Sequence, residues 1–127
     1  NRFIEKIKNE FSLQDDQILF FGFSQGAMMG LYHLCQRNKK CAGLLAYSGL
    51  LYEDHDFDKN LKSKFPLGIF HGKDDEVIDS NYSEKSFKKF KSLNFNVELH
   101  IQENLGHGID GFGINFGFNF AQNILNI

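Results

Sequence analysis

Phe20-Phe21-Gly22-Phe23-Ser24-Gln25-Gly26-Ala27-Met28-Met29 is the stretch that decides the fold. The apolar run 18–21 enters it, the pattern G-x-S-x-G occupies 22–26, and a run of helix formers leaves it. A strand that passes straight into a helix through a single serine needs a very tight turn. Side chains two positions either side of that serine would collide, so Gly22 and Gly26 are both expected where a Cβ has no room. The turn holds the Ser24 hydroxyl above the sheet. The N-terminus of the next helix lies beneath it, where free N–H groups favour developing negative charge. Three fixed letters alone are weak evidence, so the weight rests on the strand before, the helix after and the partners found further along.

Upstream, Phe3, Ile4, Ile7 and Phe11 fall on one face at helical spacing, with Arg2, Glu5, Lys6, Lys8 and Glu10 opposite. This predicts an amphipathic helix to about residue 11 and a polar turn over 12–17. The run 18–23 shows no alternation, the pattern of a strand buried on both faces. A helix from 25 to about 38 turns Ala27, Leu31 and Leu34 inward. It ends on Gln36-Arg37-Asn38-Lys39-Lys40, whose positive charge suits a helix C-terminus.

Downstream, CAGLLAYSGLL at 41–51 reads as a second apolar strand and EDHDFD at 53–58 as an acidic excursion. FPLGIFH at 65–71 is a third buried strand, with Pro66 near its start, where a missing donor is tolerated. GKDDE at 72–76 is a loop at that strand's carboxyl end. Residues 81–93 form a helix opened by an Asn81/Glu84 capping box, with Phe87 and Phe90 as its buried stripe. Val97, Leu99 and Ile101 alternate over 96–102, which suits an edge strand. The last segment fits two patterns. Ile114, Phe116, Phe118 and Phe120 alternate like a strand, while Ile114, Phe118, Ala121 and Leu125 make a helical face. Length and the Gln122-Asn123 interruption favour the helix. A helix followed by four strand-led units predicts the α/β class: a parallel sheet of about four strands with helices on both faces. Ligands of such sheets sit at the carboxyl ends of the strands, where Ser24, the Asp74-Asp75 loop and the His107 loop all fall.

The 127 residues are enough for one domain, 1–127, with one core. Hydrophobic content of 42% and charged content of 24% are ordinary for a globular chain. No apolar run approaches the roughly twenty residues of a membrane span. The first ten residues carry charge throughout, so no signal peptide is expected and the cytoplasm is the expected compartment. The chain opens on Asn1 inside a helical pattern, as expected of a piece of something longer. A net charge of −2 gives no reason to expect nucleic acid or an anionic membrane as partner. Cys35 and Cys41 read as buried or half-buried free thiols.

A serine hydroxyl is a poor nucleophile until a base takes its proton, and an imidazole serves near neutral pH. A carboxylate must hold that imidazole in the right tautomer and steady the cation that forms. The order serine, acid, histidine along the chain is that of α/β-hydrolases, and Ser24, the acidic loop and His107 meet it. Five histidines compete as base. His33 is mid-helix, His100 is within a strand and His55 belongs to the acidic excursion. His71 closes a strand but precedes the acid. His107, between glycines in a loop on the correct edge, is preferred. For the acid, Asp74, Asp75 and Asp79 remain open on the residues alone, with Asp79 also placed to cap the next helix.

Gly22-Phe23-Ser24-Gln25-Gly26-Ala27 resembles the GFSQGG/A elbow of the phospholipase/carboxylesterase family, which includes the acyl-protein thioesterases. That family's acid loop reads approximately H-G-x-x-D-P-x-V-P, and His71-Gly72-Lys73-Asp74-Asp75-Glu76-Val77-Ile78-Asp79 is similar to it, with Asp75 at the acid position. Asn104-Leu105-Gly106-His107-Gly108-Ile109 is similar to its histidine loop. The resemblance covers essentially the whole chain. It implies a triad of Ser24, Asp75 and His107, with the Gln25 backbone N–H as an oxyanion donor and neither metal nor cofactor. It implies hydrolysis of a small carboxylic ester or thioester through an acyl-enzyme. Glu76 and Asp79 stand where the family has prolines, so a looser acid loop and a less well aimed Asp75 are expected.

The family carries four more strands before this point, one bearing an H-G-x-G-D-type loop that gives a second oxyanion N–H. Nothing in residues 1–17 supplies it, so the expected fold is an incomplete, C-terminal part of an α/β-hydrolase. Losing one such donor costs about 2.7–4 kcal/mol of barrier. The strand 18–23 would then be a bare apolar edge, which is expected to be covered by a second copy about a two-fold axis or by a complementing chain. The rival expectation is an impaired or inactive hydrolase fragment that acts as an assembly or interaction module. A phosphate-binding domain built on 22–30 is disfavoured, because neither GK[ST] nor G-x-G-x-x-G follows a strand.

Overall fold

The computed structural model describes residues 2–127. Among them the elements run α1 (Arg2–Phe11), β1 (Leu19–Phe23), α2 (Gln25–His33), β2 (Gly43–Tyr47), β3 (Leu67–Gly72), α3 (Asn81–Ser92), β4 (Val97–Gln102) and α4 (Gly111–Leu125). Short 3₁₀ turns precede β1 at Asp15–Gln17 and follow α2 at Leu34–Gln36. The four strands form one sheet in the order β1-β2-β3-β4, every pair parallel. This is part of an α/β-hydrolase fold.

Period-two alternation sorts the strand side chains onto two faces. Leu44, Ala46, Leu67, Ile69 and Val97 point to one face. There they pack with Ala27 and Leu31 of α2 and Phe90 of α3. Leu45, Tyr47 and Phe70 point to the other, against Phe120 of α4. Both central strands are buried along their whole length, as expected of a parallel sheet covered on two sides. The connection from β2 to β3 contains no regular helix. It is anchored instead by Phe57, fully buried and edge-on to Phe90.

Several expectations need correction. The strand β1 is not buried on both faces: Phe21 is 61% exposed and Phe23 is 36% exposed. It stands at the sheet edge, so one of its sides has no neighbouring strand. Its helix α1 is amphipathic as expected, yet none of its residues is buried, and Phe3 and Phe11 face outward. The Asn81/Glu84 capping box does not form; Asp79 accepts from the Asn81 N–H at 2.8 Å. The final segment is a helix, but its buried face is not the expected one. Ile114 and Phe118 are exposed, while Gly113, Gly117 and Phe120 face the sheet. Helix α4 lies so close that a Cβ on Gly117 would sit 2.2 Å from the Tyr47 hydroxyl oxygen. That hydroxyl donates to the Gly113 carbonyl at 2.7 Å.

Candidate active site

Ser24 occupies the turn between β1 and α2 with φ 56° and ψ −115°. A non-glycine residue held there costs on the order of 1–3 kcal/mol, and the surroundings must enforce it. They do so from both sides. The Ser24 N–H donates to the Tyr47 carbonyl at 2.8 Å, and the Ser24 carbonyl accepts from Met28 at 3.1 Å. A Cβ on Gly22 would fall 2.6 Å from the backbone of Gly26, so Gly22 is obligatory. Gly26 is not: a Cβ there would meet nothing within 4 Å. From the neighbouring strand end, Gly49 approaches so closely that its Cβ would lie 2.6 Å from that of Ala27.

Asp75 lies in the loop after β3 with its side chain fully buried. Its Oδ1 accepts from the N–H groups of Val77 at 2.8 Å and Ile78 at 2.9 Å. The expected looser loop is therefore absent. Backbone donors wrapped onto the carboxylate do the fixing that prolines would do. Burial by itself would raise the Asp75 carboxyl, but the hydrogen bonds from His107, Ile78 and Val77 outweigh it and hold it below its ordinary value.

His107 sits in the loop between β4 and α4. That loop is laced to the acid loop: Lys73 N–H donates to the Gln102 carbonyl at 2.8 Å and Asp74 N–H to the Leu105 carbonyl at 2.9 Å. The crossing is tight enough that a Cβ on Gly72 would lie 2.2 Å from the Gly106 carbonyl oxygen. His107 Nδ1 is 2.7 Å from Asp75 Oδ2, and Nε2 is 3.1 Å from Ser24 Oγ. An ionised carboxylate only accepts, so Nδ1 carries the proton. Nε2 is then left to accept from the Ser24 hydroxyl. The ring leans on Phe23, with centroids 4.9 Å apart.

The other candidates lie elsewhere. His33, His55 and His100 are exposed, and His100 stacks on Phe70. Asp74 is exposed and Asp79 caps α3. His71 is fully buried and bonded to Ser83 and to the Ile78 carbonyl. Ser83, and the roles of Gly49 and Gly72, carried no signal in the sequence beyond the His71-Gly72 pair beside the acid. Gln25 opens α2, whose first N–H groups have no acceptor within the helix. Among the described residues no group of three or more His, Cys, Asp and Glu side chains is arranged to hold a metal ion.

Hollows lie beside the first turn of α2 and, apart from the site, at the amino end of β1. A groove of about 760 Å³ is lined by Phe3, Phe20, Phe21, Gly26 and Met29 among others. A charged cleft surrounds the nearly buried Asp15, which Lys8 at 2.6 Å and Arg37 at 2.5 Å clamp to the sheet-side turn.

Residues 2–125 match the profile of the Phospholipase/Carboxylesterase family. The chain belongs to the phospholipase/carboxylesterase family. Among members of this family, acyl-protein thioesterase 1 of Candida albicans is 29% identical over 130 residues, 97% of this chain and 56% of its own length. Acyl-protein thioesterase 1 homolog 1 of Dictyostelium discoideum is 35% identical over 100 residues, 77% of this chain and 44% of its own length. The chain thus spans about half the length of these curated relatives. The crystal structure of esterase PE8 superposes with a TM-score of 0.94 at 30% identity, over 98% of this chain and 58% of that one. SOBER1 of Arabidopsis thaliana shares the fold, with a TM-score of 0.87 at 18% identity, over 97% of this chain and 60% of that one.

Proposed function

We propose that this chain carries the reacting groups of a serine hydrolase that cleaves small carboxylic esters or thioesters. One observation carries the reading: the unbroken series from the Asp75 carboxylate through His107 to the Ser24 hydroxyl, at 2.7 and 3.1 Å. As Ser24 Oγ attacks the acyl carbon, His107 Nε2 takes its proton, and Asp75 steadies the imidazolium. The oxyanion accepts from the Gln25 N–H at the start of α2. Collapse of the tetrahedral species breaks the bond to the alcohol or thiol, which leaves with the proton from His107. Water, deprotonated by the same imidazole, then releases the acid and restores the hydroxyl.

A fluorophosphonate probe tests this, since it reacts only with an activated serine. Labelling at Ser24 and turnover of a short-chain aryl ester, both lost in Ser24→Ala, are the expected results. Equal ester turnover in the two proteins would mean that the hydrolysis has another source.

The residues 1–127 are read as part of one domain whose β1 edge takes a complementing chain or a second copy. The open groove beside Gly26 and the outward-facing Phe21 support that. The free thiols Cys35 and Cys41 suit the reducing cytoplasm. The same bare edge favours a second reading, an assembly module of impaired activity, in which Ser24 stays unlabelled until the edge is covered.

A further inference from the structure

His71 is fully buried, and its hydrogen bonds fix where its proton lies. Nε2 is 2.8 Å from the Ile78 carbonyl oxygen, which can only accept. Nε2 therefore carries hydrogen. Nδ1 is 2.6 Å from Ser83 Oγ, so in the neutral ring it accepts from that hydroxyl. The same Nε2 is 3.1 Å from Asp75 Oδ2, the oxygen that also accepts from His107. Its hydrogen goes to the Ile78 carbonyl, and the Asp75 carboxylate lies against the same polar edge of the ring. Ser83 Oγ lies 3.3 Å from the Gly49 carbonyl, and Gly49 packs against the backbone of the Ser24 turn.

We propose that His71 is a positioning residue for the acid: a second imidazole, set in its tautomer by the Ile78 carbonyl and held in place by Ser83, whose Nε2–H edge backs Asp75 Oδ2 and keeps it where His107 needs it. The proposal rests on the hydrolase reading for its effect on rate, but not for its geometry. With Oδ1 held by the Val77 and Ile78 N–H groups and Oδ2 backed by the His71 ring edge, the carboxylate has one free direction left, and His107 fills it. Buried carboxylates with spare rotational freedom lose aim. Outer hydrogen-bond partners of this kind, where measured around metal-bound imidazoles, are worth about ten- to hundredfold in function.

The test uses two readouts on the purified protein: the rate of fluorophosphonate labelling of Ser24 and the downfield proton resonance of His107 Nδ1–H. In His71→Leu the expected result is about tenfold or slower labelling, with that resonance moved upfield or lost to exchange. His71→Gln keeps an N–H near the Nε2 position and is expected to restore most of both. If His71→Leu does not fold, Ser83→Ala takes its place, with the same direction of change at smaller size. A folded His71→Leu or Ser83→Ala protein whose His107 resonance and labelling rate match the wild type would overturn the proposal. Absence of labelling in the wild type sinks the hydrolase reading instead. The resonance then still decides whether His71 positions Asp75.

Discussion

At Asp75 two opposing effects meet. Burial favours the neutral acid, and three donors favour the anion; the donors win, and the carboxyl titrates below its ordinary value. The folded state therefore binds this proton less readily than the unfolded chain does. The stability contributed is fully present above the unfolded value of about 3.9. It is lost as pH falls through the lower folded value. Chemical denaturation at neutral pH and near pH 3 should thus show the gap between wild type and Asp75→Asn narrowing in acid. In the same variant the labelling of Ser24 is expected to fall by about 10³–10⁴-fold, because His107 loses its tautomer. Gly72→Ala is expected to slow labelling more than it lowers the melting temperature. Its Cβ would press on the carbonyls of Leu105 and Gly106 and displace the loop that carries His107. Equal losses of both would mean that the whole loop pair has unfolded. Ser24 and His107 stood out in the sequence because reactive letters beside glycines are rare and their order is telling, whereas Asp75 was separated from Asp74 and Asp79 only by the family resemblance. Gly26 misled for a physical reason: sequence shows that a Cβ is missing, not what would have met it. The seat of His71 against Asp75 is invisible because it depends on Ser83, twelve residues on, being folded back against the ring.

Among the elements, α4 shows where periodicity fails. Its large side chains suggest one apolar face, yet the sheet receives the face with the glycines. A helix packs where backbones approach closest, and hydrophobic patterning weighs only the side chains that are present. Gly117→Ala is accordingly expected to cost about 1–3 kcal/mol in urea denaturation, as overpacking does, through loss of the Tyr47 hydroxyl's seat. A cost near zero would show that α4 shifts freely on the sheet. The strands were far more legible: runs of apolar residues closed by Gly, Pro or polar clusters gave all four, with boundaries off by a few residues. The exception is the environment of β1. Its composition is that of a strand with neighbours on both sides, and among the described residues it has one.

For the whole molecule, the unoccupied side of β1 is the dominant feature. Phe3, Phe21 and Met29 are each more than half exposed around one groove, an arrangement a lone chain keeps out of water only by association. Gly26→Ala separates the fold from its assembly. The new methyl group meets nothing within the chain, so thermal melting of the isolated protein should be unchanged or slightly raised. Native mass measurement should show weaker association if another backbone closes over the first turn of α2. Unaltered association would place the contact elsewhere. A last consequence follows from how Ser24, Gly49, Asp75 and His107 are distributed, one beyond the carboxyl end of each of the four strands. No pair of neighbouring strands holds the full set. A slip of one residue in any pairing would pull the series apart while leaving most of the apolar interior intact. Reactivity at a single hydroxyl is therefore a gauge of correct register across the entire sheet, and it will report a misfolded population that bulk spectroscopy counts as native.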